Sequence, residues 1–182
     1  MQKKRAVIIT WSGFQDQEVI YPYYRLLEEE FTVDFATDLV TGVDNTQDRN
    51  IVGLFGTKFK ASIGIVDLKI VDYDLLVLPG GVKALEKLRQ DKKALEFIRN
   101  YSCRDGVIAS ICHGAQLLIS ANIVKGRVIS GYYSIKDDII NAGGIYLDSP
   151  YIVDSNIISS PHYKHMGPWM KEVLRVYYIN GL

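Results

Sequence analysis

The stretch Val107-Ile108-Ala109-Ser110-Ile111-Cys112-His113-Gly114 joins a strand-like segment to an abrupt turn. Residues 107–111 are mostly apolar and β-branched, which is typical of a strand buried on both faces. A cysteine follows at once, and residues 114–121 have a helical pattern. This order predicts a nucleophile elbow, a strained strand-to-helix turn that exposes the side chain at its tip. Ser110 and Gly114 supply the small residues that such a turn needs on either side of Cys112.

The sequence contains two cysteines, and their positions predict different roles. Cys112 would lie at the N-terminus of a helix, where the partial positive charge stabilises a thiolate, so we expect a lowered pKa and a reactive sulfur. The alternative is a buried core cysteine, which is a common fate of this residue type. Cys103, at the end of a surface helix, is predicted to be structural and to have no lowered pKa.

Further strand patterns of the buried type alternate with helical patterns along the chain. The strands are predicted at residues 6–9, 32–36, 75–78, 107–111, 145–147 and 151–159, and the helices at residues 19–30, 82–88, 92–103, 114–121, 134–142 and 167–179. Such alternation predicts an α/β protein whose mostly parallel sheet is covered by helices on both faces. Ligands bind beyond the carboxyl ends of such strands, so functional residues are expected just after Ile9, Leu78 and Ile111.

Two local patterns carry separate expectations. Pro22 is expected in the first turn of the helix at residues 19–30, where proline is tolerated. Residues 38–67 are irregular, with several glycines and a polar run at 44–48, and predict a hairpin or loop excursion from the main sheet.

Length and composition indicate an ordinary globular protein. The 182 residues, 48% hydrophobic and 23% charged, predict one domain over residues 1–182. Lys+Arg and Asp+Glu both number 21, so charge gives no reason to expect nucleic acid or a membrane surface as a partner. Two cysteines are too few for a disulfide framework, and neither a signal peptide nor a membrane-spanning stretch is recognised. We expect a cytoplasmic protein.

Residues near the predicted strand ends supply candidate partners for Cys112. The N–H groups of Gly80 and Gly81, together with that of His113, are candidates for an oxyanion hole, although a glycine pair alone more often only makes a turn. Glu18 either complements a helix dipole or points over the sheet edge toward Cys112, and spacing does not decide between these. His113 adjoins the cysteine, but adjacency alone does not predict a dyad.

Aromatic residues later in the chain are candidates for the pocket wall. Tyr132 is equally consistent with packing, and His162 with a surface turn into the last helix. The three histidines lack metal-ligand spacing with the cysteines, so no metal is expected.

Several segments together resemble a known family. "GFQDQEVIYPYYRLLEEE", "LVLPGG", "ASICHGAQLLISANIVKGR" and "IKDDIINAGG" are similar, in order and spacing, to the PfpI-type branch of the ThiJ/PfpI superfamily. The resemblance runs from about Ala6 to about Ser160. It implies a flavodoxin-like three-layer sandwich related to class I glutamine amidotransferases.

The resemblance also implies site roles. Cys112 is the reactive cysteine, Glu18 the acid that hydrogen-bonds it, and His113 the histidine that a glutamate from a neighbouring subunit completes in the protease-like branch. Glu86 lies where that glutamate would be, displaced by one residue. Where relatives often have an arginine after the late Ser-Ser, this chain has Pro161-His162, so the preference for charged substrates is expected to differ.

The sequence thus predicts a cofactor-independent cysteine enzyme acting on small reactive carbonyl compounds such as 2-oxoaldehydes or their adducts, through a hemithioacetal on Cys112. One alternative is peptide or amide hydrolysis through a thioester, with His113 oriented by Glu86. Another is a non-enzymatic stress-response protein whose Cys112 senses oxidants. A homodimer or larger homo-oligomer is expected, because the 12 tyrosines and 2 tryptophans favour interfaces as well as cores and because members of the family commonly pair.

Overall fold

The fold is described by a computed structural model that covers residues 4–38, 50–104 and 106–180. Its strands are β1 (Arg5–Ile9), β2 (Thr32–Thr37), β3 (Asn50–Val52), β4 (Lys58–Lys60), β5 (Ile63–Gly64), β6 (Leu75–Leu78), β7 (Val107–Ile111), β8 (Val128–Ile129), β9 (Ile145–Tyr146), β10 (Ile152–Asp154) and β11 (Ile157–Ser160). Its α-helices are α1 (Asp16–Glu28), α2 (Val82–Leu88), α3 (Lys92–Tyr101), α4 (Ala115–Ser120), α5 (Lys136–Asn141) and α6 (Met166–Ile179).

Seven of these strands form the central sheet in the order β10-β11-β7-β6-β1-β2-β5. All neighbours are parallel except β10, which pairs antiparallel with β11 at the edge. The three innermost strands β7, β6 and β1 are adjacent and nearly free of polar side chains. Their carboxyl ends therefore meet at one edge of the sheet, as the sequence predicted.

Helices flank the sheet in two groups. Helices α1 and α6 contact each other and reach β2, β7 and β11, whereas α2, α3 and α5 each contact α4. The buried core runs through the sheet into both groups, because the strand side chains at residues 6–9, 75–78 and 107–111 are inaccessible to solvent. The predicted α/β architecture with a mostly parallel sheet is confirmed. In the residues that the structure describes, no helix is long and apolar enough to cross a membrane.

Helix α1 begins three residues earlier than predicted, at Asp16, and this changes the position of Pro22. The prediction that Pro22 lies in the first turn is wrong, because the residue is inside the helix. Proline has no N–H, so the helical hydrogen bond to the carbonyl of Glu18 is lost. The earlier start places Asp16 and Glu18 in the first turn, where negatively charged side chains interact favourably with the helix dipole.

The excursion after β2 contains the predicted hairpin, formed by β3 and β4 as a separate antiparallel pair. The part of this prediction that falls on residues 39–49 lies outside the described residues. The carboxylate of Asp16 accepts hydrogen bonds from the N–H groups of Phe55 and Thr57, both at 2.9 Å. These bonds fasten the hairpin to the start of α1, close to the edge where the central strands end.

Helix α6 is held to the sheet by Trp169, whose side chain is completely buried and whose Nε1 donates to the carbonyl of Ile158 at 3.2 Å. Trp169→Ala would leave a large cavity and remove this hydrogen bond. We expect the variant to lose about 3–5 kcal/mol of the free energy of unfolding, measured by chemical denaturation. Val71→Ala, at a side chain that is 83% exposed, is the control and should change stability by less than about 0.5 kcal/mol. Equal losses in the two variants would contradict this account of α6 packing.

Candidate active site

The predicted nucleophile elbow is present at the end of β7. Cys112 has a φ of +58°, a left-handed conformation that non-glycine residues adopt at a cost in strain. The turn also needs Gly114, since a Cβ on that residue would lie 2.1 Å from the carbonyl oxygen of Leu78. The backbone of β6 therefore passes against the turn and fixes the direction of the cysteine side chain.

Glu18 points inward to the cysteine, which settles the alternative that spacing left open. Its side chain has no exposed surface, and Oε2 accepts a hydrogen bond from the N–H of Gly80 at 2.7 Å. A Cβ on Gly80 would lie 2.6 Å from Glu18 Oε2 and 3.1 Å from Cys112 Cβ. The glycine therefore leaves room for the carboxyl and the cysteine on either side of its backbone.

The ionisation of Glu18 and that of Cys112 are linked. Burial raises the pKa of Glu18 from 4.5 to about 7, although hydrogen bonds from Gly80 and the Cys112 thiol oppose this. The second carboxyl oxygen, Oε1, is buried without a well-aligned donor in the described part of the chain. A buried oxygen in this situation favours protonation, because a proton on the carboxyl removes an uncompensated charge.

The prediction of a lowered pKa for Cys112 is wrong. Burial raises the pKa of the Cys112 thiol, and the negative charge of Glu18 raises it further, whereas the backbone N–H of His113 acts in the opposite direction. The sequence argument considered the helix terminus but not the carboxyl that the fold brings alongside. When Glu18 holds a proton, its repulsion of a thiolate disappears, whereas the effect of burial on the pKa of the thiol remains. Cys103 is exposed and lies away from this site.

The expectation that Gly80 serves the oxyanion hole also needs correction. Its N–H is already donated to Glu18 Oε2, so it is not available to an oxygen of a substrate. Gly81 has a φ of +106° and packs against the backbone of residues 13–15, where a Cβ would lie 2.5 Å from the carbonyl oxygen of Gly13. Gly81 and His113 remain the candidate donors.

His113 contacts the cysteine more closely than adjacency alone predicted. Its Nδ1 is 3.4 Å from Cys112 Sγ, and its Nε2 is 3.4 Å from the hydroxyl of Ser134. The ring packs beside Tyr132, with 4.6 Å between centroids. Burial lowers the pKa of His113, so the ring is neutral near pH 7. Sequence reasoning did not identify Ser134, because only the folded turn brings it to residue 113.

The other predicted residues have different positions. Glu86 is exposed on α2 and makes no described contact with His113 of its own chain. Tyr132 lies between His113 and His162, whose ring centroid is 5.9 Å from that of Tyr132. The Tyr133 hydroxyl raises the pKa of Tyr132 to about 12, which keeps this phenol neutral. The two aromatic candidates thus stand at one side of the cysteine.

His162 lies in the surface turn before α6, and its part in a pocket wall stays a prediction. Its Nδ1 accepts a hydrogen bond from the N–H of Lys164 at 3.2 Å and so stabilises the turn before α6. Its ring nevertheless lies next to Tyr132. Burial and the charges of Lys164 and His165 lower the pKa of His162. Among the described residues, no group of three His, Cys, Asp or Glu side chains is placed to hold a metal ion.

The protein is thus an α/β protein with a mostly parallel sheet. It has a strained cysteine at the carboxyl edge of that sheet and a buried carboxyl beside the sulfur. Residues 4–176 match the family model of the DJ-1/PfpI family. The chain therefore belongs to the DJ-1/PfpI family, and the suspected resemblance is confirmed.

Individual relatives cover most of the chain. "Deglycase PfpI" of Pyrococcus furiosus is 37% identical over 172 residues, which are 94% of this chain and 98% of the relative. "Putative cysteine protease YraA" of Bacillus subtilis is 36% identical over 160 residues, 88% of this chain and 89% of the relative. A two-domain protein of Anabaena variabilis with DJ-1/ThiJ/PfpI-like and ferritin-like domains superposes with a TM-score of 0.87 at 26% identity, over 95% of this chain and 48% of that protein. The chain thus spans about half of that two-domain protein.

The buried Glu18 makes stability depend on pH. The folded protein keeps the carboxyl proton up to a pH of about 7, whereas the unfolded chain releases it near 4.5. The folded state binds more protons within this window, so raising the pH through it lowers the free energy of unfolding, by at most about 3 kcal/mol. Glu18→Gln cannot ionise and should lack this loss, which denaturation at pH 4.5 and 7.5 measures.

The control for this experiment is Glu96→Gln, because Glu96 is exposed and its surface ion pair with Lys93 contributes little. We expect this variant to keep the pH dependence of the natural chain. If Glu18→Gln keeps it too, Glu18 does not hold a proton in the folded state near neutrality.

Proposed function

We propose that this protein is a cysteine-dependent enzyme that acts on small reactive carbonyl compounds, with 2-oxoaldehydes and their adducts as the substrate class. One observation carries the proposal: the strained Cys112 stands beside Glu18, a buried carboxyl with a pKa of about 7. Such a group both donates and accepts protons at neutral pH. The relatives named as a deglycase and as a cysteine protease add support for an enzyme.

The first step adds the thiol of Cys112 across the aldehyde C=O. A bond forms between Sγ and the aldehyde carbon, the π electrons move to the oxygen, and the thiol proton is lost to a basic neighbour while the oxygen gains one. The N–H groups of Gly81 and His113 are the proposed donors to that oxygen. The product is a hemithioacetal on Cys112.

The next steps need only proton transfers and water. Glu18, as carboxylate, removes the hydrogen from the aldehyde carbon and returns a proton to the neighbouring carbon, which converts the hemithioacetal to the thioester of a 2-hydroxy acid. Water then attacks the thioester, the C–S bond breaks, and the sulfur regains its proton. Oxidation of one carbon is matched by reduction of the next, so no external oxidant or cofactor is required.

A second proposal concerns assembly. We propose a homo-oligomer in which Glu86 of one subunit approaches His113 of another, since Glu86 is exposed on α2 and makes no described contact with His113 of its own chain. This arrangement would favour the alternative reaction, amide hydrolysis through a thioester, because that reaction needs an oriented base on Cys112.

Turnover of methylglyoxal to lactate tests the carbonyl proposal. Cys112→Ala should lower turnover by at least roughly 10³-fold because the covalent step is lost. Glu18→Gln should lower it by roughly 10²–10⁴-fold through loss of the proton shuttle. Cys103→Ala, at the exposed cysteine, is the matched control and should retain activity. Cleavage of a peptide without consumption of methylglyoxal would replace this proposal with hydrolysis, and oxidation of Cys112 by peroxide with neither activity would indicate a redox sensor.

Because the ring of His162 is neutral at pH 7, we expect weak selectivity for anionic substrates at that pH. Its pKa is lowered by burial and by Lys164 and His165, so the ring becomes cationic only on acidification below its usual range. His162→Arg places a permanent cation at the same position. We expect the variant to favour the anionic 2-oxoaldehyde 4,5-dioxopentanoate over neutral methylglyoxal at pH 7.5 roughly tenfold more than the natural chain, with a smaller difference at acid pH. An unchanged ratio of kcat/KM values would exclude His162 from substrate selection.

A further inference from the structure

We propose that Ser134 is a positioning residue that holds the ring of His113 with Nδ1 facing the sulfur of Cys112, and we call these three side chains the Cys112–His113–Ser134 relay. The two contacts of 3.4 Å, from Sγ to Nδ1 and from Nε2 to the Ser134 hydroxyl, join the three side chains in sequence. The inference rests on the proposed role of Cys112 as nucleophile, and it assigns orientation of the histidine to a residue of the same chain.

The turn that carries Ser134 is fastened to the elbow itself. The N–H of Tyr132 donates to the carbonyl of Cys112 at 3.1 Å, and residues Tyr133–Ile135 form a single helical turn directly afterwards. The ring of Tyr132 packs beside that of His113. The backbone bond and the ring contact fix the distance between Ser134 and the histidine, so the hydroxyl is part of the elbow's local structure.

The proposal requires one tautomer of His113. A neutral imidazole has one nitrogen that donates and one that accepts. Nδ1 lies 3.4 Å from Sγ and can accept the thiol proton only when the ring proton is on the other nitrogen. The proposal therefore assigns the ring proton to Nε2, which donates a hydrogen bond to the Ser134 hydroxyl.

This orientation supplies the acceptor for the thiol proton in the first step. As the Sγ–carbon bond forms, the proton leaves Sγ for Nδ1, and the imidazolium is stabilised by the Nε2–H bond to Ser134. The proton returns to the sulfur when the C–S bond breaks. Ser134 is exposed, whereas Glu18 is completely buried, so the relay opens to solvent and Glu18 remains available for transfers between the substrate carbons.

Two measurements on Ser134→Ala test the inference without depending on carbonyl turnover. Histidine ¹⁵N NMR at pH 7.5 should show His113 of the natural chain mainly protonated at Nε2, and the variant should show a mixture of tautomers. Alkylation of Cys112 by iodoacetamide should slow roughly fivefold, as expected for loss of one neutral hydrogen bond. Ser134→Thr keeps the hydroxyl and should restore both readouts.

The matched control is Ser102→Ala, which removes a hydroxyl bonded to the carbonyl of Arg99 outside the site and should change neither readout. An unaltered tautomer and alkylation rate in Ser134→Ala would overturn the proposal. Altered readouts in Ser134→Ala, in a protein that does not consume methylglyoxal, would support the relay and reject the proposed function.

Discussion

The buried carboxyl of Glu18 is the constraint on which the site depends. It connects the segments that follow the three central strands. Glu18 belongs to α1, which follows β1. Its carboxyl accepts a hydrogen bond from the N–H of Gly80, after β6, and lies beside Cys112, after β7. A buried carboxylate is costly unless it is bonded or protonated. One oxygen accepts a hydrogen bond, and the other has no well-aligned donor among the described residues, so a proton is the remaining compensation. The same proton removes the repulsion by Glu18, which together with burial raises the pKa of the neighbouring thiol.

Close backbone packing maintains this arrangement. Gly114 allows β6 to pass against the elbow, and Gly81 allows the loop after β1 to lie against the start of α2. Between these close approaches, Cys112 has a φ of +58°, which carries a cost in strain. The strain is tolerated because the surrounding strands are inaccessible to solvent and packed on both sides. The packing of the core thus offsets the strain that holds the sulfur in a fixed position at the carboxyl edge of the sheet.

The two groups proposed for proton transfer lie in different environments. Glu18 is enclosed, whereas His113 connects Cys112 to an exposed turn through Ser134 and is flanked by the aromatic ring of Tyr132. An enclosed group suits transfers within a bound substrate, and a group near solvent suits exchange with water. This division is consistent with a reaction that both rearranges a carbonyl adduct and hydrolyses it.

The sequence by itself determined the architecture and the elbow with Cys112 at its tip, because these follow from local patterns: uninterrupted apolar strands, a cysteine at a strand end, and Gly114 two residues later. It did not determine the start of α1 or the place of Pro22, because the acidic residues before Val19 fit a loop as well as a first helical turn. Only the tertiary structure decided the direction of Glu18, the raised pKa of Cys112, the loss of Gly80 as a donor and the contact with Ser134. Each of these depends on groups that are distant in sequence, and charge, burial and hydrogen bonding between such groups exist only once the strands are side by side.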